Sequence, residues 1–191
     1  MASLPKPRYT PEEYLAMERE AEFKNEYLDG EIIAMVGASE PHNLIVVNLV
    51  TELANQLKRR PCKIYASDMR VDLRERYLFA YPDVVVVCGE ASFRCGEMDN
   101  LLNPTLIIEV LSKSTEYYDR GRKFIKYRRI ESLQEYLLVA QDEPRIEQYI
   151  RQPSKEWLLS EFDGLETTVY LPSIECHLTF KEVYDKVGFP K

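Results

Sequence analysis

Pro104-Thr105-Leu106-Ile107-Ile108-Glu109-Val110-Leu111 is a strand-length apolar run interrupted by a single acid. Successive aliphatic side chains of this kind suit a β-strand covered on both faces. An ionised carboxylate inside such a strand costs several kcal/mol unless a cation or good hydrogen bonds compensate. Glu109 therefore calls for an answering group, and two nearby segments offer one. Asp83 lies in Tyr81-Pro82-Asp83-Val84-Val85-Val86-Val87, and Lys123 ends Asp119-Arg120-Gly121-Arg122-Lys123.

Outward from that strand, local signals set the element order. Thr10-Pro11-Glu12-Glu13 carries an N-cap, a proline at the first helical position and a glutamate at the third, so a short helix starts there. Asp29-Gly30 between apolar segments predicts a hairpin, because both turn residues tolerate positive φ. Leu44, Val47, Leu49, Val50, Leu53, Ala54 and Leu57 recur at helical spacing and predict an amphipathic helix over 42–57. Strands are expected within 63–73 and 77–87, and a polar loop over 89–103. Ser112-Lys113-Ser114-Thr115 caps an expected helix running to about residue 129, and a strand is expected over 134–139. Segments 145–151, 157–162 and 167–170 alternate as antiparallel strands, and 178–184 suggests a last short helix. The order predicts a mixed α/β domain around a central sheet, one unit over 1–191.

Composition bounds the function. A net charge of −7 excludes a protein that coats nucleic acid by bulk charge, and predicts weak, salt-sensitive DNA binding. No apolar run is long enough to span a bilayer, and residues 1–8 lack the apolar core of a signal peptide. The expectation is a cytoplasmic protein with reduced thiols at Cys62, Cys88, Cys95 and Cys176, which contain no Cys-x-x-Cys pair for zinc. There is no glycine-rich phosphate loop or dinucleotide fingerprint.

Hard divalent cations such as Mg²⁺ take oxygen ligands, and phosphodiester hydrolysis needs an activated water and neutralisation of charge on the phosphate. Asp83 early in one strand and Glu109 late in an antiparallel neighbour would meet as a metal-binding pair. Lys123, on the helix after the Glu109 strand, would fold back to orient or deprotonate water, or to stabilise the transition state. Asp119 and Tyr127 share its helix face at i−4 and i+4.

In this ordered set the chain resembles a PD-(D/E)XK nuclease-fold family of bacterial proteins labelled as restriction endonucleases. The resemblance rests on Pro82-Asp83, Ile108-Glu109-Val110-Leu111-Ser112, Asp119, Lys123 and Tyr127. It also rests on Glu26-Tyr27-Leu28-Asp29-Gly30-Glu31, His42, Ser67-Asp68 and Gln134-Glu135-Tyr136-Leu137-Leu138-Val139. It spans roughly 9–186. It implies a restriction-endonuclease-like mixed central sheet flanked by helices, with an N-terminal hairpin and a small antiparallel C-terminal addition. It also implies Mg²⁺ or Mn²⁺ on Asp83 and Glu109. The chain departs from the superfamily pattern at Leu111, where the motif lysine would stand; Lys123 is the candidate replacement.

Glu26 either adds a third carboxylate or faces solvent, and His42 is either an accessory group or a plain helix-start side chain. Glu52 is a weaker accessory acid. Lys113, Arg120, Arg122 and Lys126 head the densest basic stretch and are either phosphate-backbone contacts or a solvated face. Tyr117 and Tyr118 either stack on bases or join the core. The leading expectation is a Mg²⁺-dependent DNA endonuclease, a homodimer by analogy with duplex cutting. An inactive binding module of the same fold, or a phosphodiesterase on RNA or small phosphate esters, is the alternative.

Overall fold

The computed structural model describes residues 7–35, 37–73, 77–94 and 97–190. Cys95 and the first six residues lie outside them. In chain order the elements are α1 (Pro11–Glu20), β1 (Asn25–Leu28), β2 (Glu31–Ala34), α2 (Glu40–Leu57), β3 (Cys62–Ala66), β4 (Arg70–Asp72), β5 (Leu78–Ala80), β6 (Val84–Cys88), β7 (Phe93–Arg94), β8 (Glu97–Leu101) and β9 (Leu106–Leu111). A π-helical segment (Tyr118–Lys123) then runs into α3 (Phe124–Tyr127), followed by β10 (Glu135–Ala140), β11 (Arg145–Arg151), β12 (Trp157–Asp163), β13 (Thr168–Leu171), β14 (Cys176–Thr179) and α4 (Phe180–Val183).

Local signals play out where they are strongest. Thr10 and Glu13 close the reciprocal capping box of α1, and Ser39 caps α2 by accepting from the His42 amide. Leu28 pairs with Glu31 across a two-residue turn in which Asp29 and Gly30 have φ of 49° and 91°.

The central sheet has six strands in the order β12-β11-β10-β9-β6-β3, with β9 and β10 parallel and the other neighbours antiparallel. A second six-stranded sheet, β2-β1-β5-β4-β8-β7, includes the hairpin, and β13-β14 form a separate pair. The expected single strands over 63–73 and 77–87 each split. β3 and β6 stay in the central sheet, while β4 and β5 enter the second one. Ser67, at φ 47°, turns the first segment, and Pro82, which has no N–H for a ladder, sits at the second break. The two corners meet where Ser67 N–H donates to the Asp83 carbonyl at 3.1 Å. The expected polar loop over 89–103 contains β7 and β8.

The alternation of β9 sorts its side chains. Leu106, Ile108 and Val110 join a core with α2, β13-β14 and α4; Ile107 and Leu111 join one with the second sheet and the helix after β9. Glu109 shares the second face by period-two spacing. Leu49 and Leu53 of α2 are fully buried, each worth about 1.5–3 kcal/mol of apolar burial.

The expectation of reduced thiols is corrected for one pair. Cys62 and Cys88 are cross-strand partners in β3 and β6 and form a disulfide. Spacing in sequence carries no trace of that adjacency, since 26 residues separate them. Cys176 is a buried free thiol.

Candidate active site

The second sheet and the helix after β9 cover the Glu109 face of the central sheet, and the acids of these elements converge there. In the antiparallel β6-β9 ladder Val84 pairs with Ile108, so Asp83, one residue before β6, falls opposite Glu109. The Asp83 carboxylate accepts from the Val110 amide at 2.7 Å, which ties it to β9. Glu26, on β1, is 3% exposed and accepts from the Tyr81 amide at 3.0 Å.

Lys123 bridges the two sheets. Its Nζ donates to Glu109 Oε1 at 2.9 Å, lies 2.9 Å from Glu26 Oε1 and sits 3.3 Å from Asp119 Oδ1, one helical turn away. The Tyr127 hydroxyl donates to the same Glu109 oxygen at 3.0 Å. The Tyr118 ring lies 5.5 Å from the ammonium. Leu111 points to the Glu109 face but is packed into the core, so the ammonium arrives from the helix. The π-helical stretch contains both Asp119 and Lys123, whose side chains are buried.

From α2, the His42 Nε2 stands 3.3 Å from Asp83 Oδ2, and its Nδ1 is buried with no hydrogen-bond partner among the described residues. These groups line one cleft of about 630 Å³. Of the expected site residues, Asp83, Glu109, Lys123, Glu26, His42 and Asp119 line it, while Tyr127 stands behind Glu109. Glu52 is not among the residues lining this cleft.

The electrostatics are those of a site short of positive charge. Burial raises the Glu109 pKa well above the ordinary carboxylate value. Lys123 pulls it down, and Asp119, Asp83 and Glu26 push it further up. For Lys123, burial opposes the charged form, yet Glu109 and Glu26, with Tyr127 and Asp119, hold the ammonium pKa well above its usual value. Among the described residues, no three His, Cys, Asp or Glu side chains form a ready cation cage. The donor set still suits a hard cation: Asp83 and Glu109 are adjacent oxygen donors in an acidic cleft, and Mg²⁺ commonly takes one or two carboxylates and keeps its waters.

The basic residues of this helix differ from an open phosphate-binding face. Arg120 is held by Glu147 and Glu116, both at 2.7 Å, Arg122 pairs with Glu31 at 2.9 Å, and Lys126 pairs with Asp29. Glu116 lies at i−4 to Arg120, a spacing visible in the sequence, whereas Glu147, Glu31 and Asp29 come from other elements and no local pattern announces them. Arg122 is half exposed, so its pair is a weak one, and Lys113 is exposed. Tyr117 is 86% exposed, whereas Tyr118 lines the cleft. The Tyr81 amide that fixes Glu26 escaped notice in sequence, although it lies two residues before Asp83. Lys24, also at the cleft, pairs with Asp68 and donates to the Ser67 carbonyl at 2.9 Å.

Comparison with known proteins gives concordant matches. The family model described as "Uma2: Putative restriction endonuclease" matches residues 11–181. The uncharacterised protein sll1609 of Synechocystis sp. is 41% identical over 155 residues, covering 81% of this chain and 88% of that protein. A second uncharacterised Synechocystis protein, slr1290, is 35% identical over 187 residues, covering 98% of this chain and 97% of its own. A crystal structure from Anabaena variabilis, described as a putative nuclease belonging to DUF820, superposes with a TM-score of 0.78 at 22% identity, covering 94% of this chain and 99% of that one. That last likeness speaks to the fold.

Proposed function

We propose, from the premise that the chain belongs to the Uma2 family described as putative restriction endonucleases, that this nuclease-like protein is a Mg²⁺- or Mn²⁺-dependent DNA endonuclease. The observation that carries the reading is the convergence of Asp83, Glu109 and Lys123 in one cleft, from strand ends and a helix far apart in sequence. Asp83 and Glu109 are the residues that would hold the cation. When bound, the cation would supply charge neutralisation at the phosphate and a water of lowered pKa.

The remaining chemistry belongs to the chain. Lys123, held as an ammonium by its acidic neighbours, is a poor base at neutral pH; its role is to neutralise charge developing on the phosphate. Tyr127 fixes the rotamer of Glu109 from behind. Glu26 and Asp119 position the ammonium. His42 orients Asp83. Lys113 and Arg122 are the basic residues best placed to meet the strand backbone, Arg122 by exchanging Glu31 for a phosphate.

The test is cleavage of supercoiled DNA by purified protein with Mg²⁺ or Mn²⁺, compared with Asp83→Ala and Glu109→Ala. Loss of cleavage in both variants supports the assignment. Equal rates in all three proteins would place the activity elsewhere. A second reading, a binding module without chemistry, draws on the apolar burial of Leu111 at the position where the motif lysine would stand. No cleavage, together with no divalent-ion binding, would favour it.

A further inference from the structure

The cleft that holds Asp83, Glu109 and Lys123 also has an uncharged stretch of wall, with Ser39, Asn43, Ser112 and Gln141. Gln141 is the residue after β10. Ala140 pairs with Leu111 in the parallel β9-β10 ladder, so Gln141 falls beside Ser112 where the two strands end.

One hydrogen bond decides which way the Gln141 carboxamide faces. Ser39 Oγ accepts from the His42 amide at 3.3 Å as the cap of α2, and its own proton is donated to Gln141 Oε1 at 2.6 Å. The Ser39 backbone is held as well, because its carbonyl accepts from the Asn43 amide at 3.0 Å and from Asn43 Nδ2 at 2.9 Å. With its oxygen engaged, half-buried Gln141 turns Nε2 away from Ser39. That nitrogen has no hydrogen-bond partner among the described residues. The same first turn of α2 brings His42 Nε2 to 3.3 Å from Asp83, which sets Gln141 on the Asp83 side of the cleft.

We infer that Gln141 is a substrate-contacting residue, donating from Nε2 to a non-bridging oxygen of the DNA phosphate next to the one held at Asp83 and Glu109. The acids of the cleft, Asp83, Glu109, Glu26 and Asp119, repel a polyanion, so the strand needs donors elsewhere along its path. An amide that reads adenine uses its oxygen as acceptor together with its nitrogen as donor, and here Ser39 occupies the oxygen. A phosphate oxygen asks for donors alone. The contact therefore anchors the backbone without selecting a base. The inference deepens the nuclease reading and rests on it for the identity of the strand.

The test titrates the full chain into a short fluorescein-labelled DNA duplex in Ca²⁺, a hard cation that takes the same oxygen ligands as Mg²⁺, with binding read by anisotropy. Gln141→Leu should bind about tenfold more weakly, the size expected of one hydrogen bond to a charged oxygen. Because the amide is uncharged, that fold-loss should be the same at about 50 and about 200 mM salt. Gln141→Glu keeps an acceptor for Ser39 but turns negative charge towards the phosphate. Its loss should exceed that of Gln141→Leu and shrink as salt rises. Both variants should keep the circular dichroism and the Mg²⁺-induced rise in Tm of the unaltered protein, since Asp83 and Glu109 are untouched. In cleavage of supercoiled DNA, Gln141→Leu should raise KM with little change in kcat. If Gln141→Leu binds like the unaltered protein, or its loss varies with base sequence, the inference falls and the nuclease reading stands. An unaltered protein that binds no duplex and gains no Tm from Mg²⁺ would overturn both.

Discussion

Replacing Lys123 by Met keeps most of the side-chain volume and removes the ammonium that serves three carboxylates. Its Nζ lies 2.9 Å from Glu109, 2.9 Å from Glu26 and 3.3 Å from Asp119, and all four side chains are within 6% of full burial. Removing one partner of a buried ion pair typically costs about 3–5 kcal/mol, because the remaining charge stays out of water. The loss expected near pH 8 is therefore about 3–5 kcal/mol, or roughly 6–20 °C in Tm for a chain of this size. The pH dependence has a definite sign. The folded-state pKa of Glu109 is already raised, chiefly by burial, so this group favours folding below the unfolded carboxylate range and loses that contribution as pH rises through the folded value. Without Lys123, which lowers it, the Glu109 pKa rises further, so the deficit should be large at pH 8 and shrink towards pH 4.5 as Glu109 takes up its proton. Urea unfolding of both proteins at the two pH values measures it. A deficit under about 1 kcal/mol at pH 8, or one that grows on acidification, would refute the claim that Lys123 is the counter-charge of this cluster.

Tyr127→Phe removes a fully buried hydroxyl that donates to a carboxylate, and should cost about 1.5–3 kcal/mol in chemical denaturation with little change in secondary structure. Millimolar Mg²⁺ or Mn²⁺ should raise the Tm of the unaltered protein by mass action, and Asp83→Asn should abolish the rise, as followed by differential scanning fluorimetry. Gly30→Ala forces a side chain into φ 91° at the hairpin turn and should lower stability by about 1–2 kcal/mol in the same unfolding assay.

Several elements were legible because their cause is local. The capping box at Thr10 and Glu13, the Asp29-Gly30 turn and the Leu49, Leu53 and Leu57 stripe of α2 each depend on residues a few positions apart, although Val47 and Ala54 of the expected face are exposed and Ile45 and Val46 are buried in addition. The strand around Glu109 announced both its burial and its anomaly, and that anomaly led to Asp83 and Lys123. The splitting of 63–73 and 77–87 between sheets was not legible, because alternation continues through a corner while the chain changes ladder partners. The same limit hid the Cys62-Cys88 bond and the pairing of Arg120 with Glu147, which join segments 26 and 27 residues apart.

From the sequence alone came the mixed α/β class, the strand with a misplaced acid, and the residue types able to bind a cation and neutralise a phosphate. Those follow from short-range sterics, hydrophobic period and the cost of burying charge. Only the tertiary structure decided that the second sheet closes over β9, bringing Glu26 within 2.9 Å of the ammonium that also serves Glu109. It also decided that Arg120, Arg122 and Lys126 of the helix are taken by carboxylates. Coulomb interactions and desolvation depend on distance in space, and that distance is set by sheet packing rather than by separation along the chain.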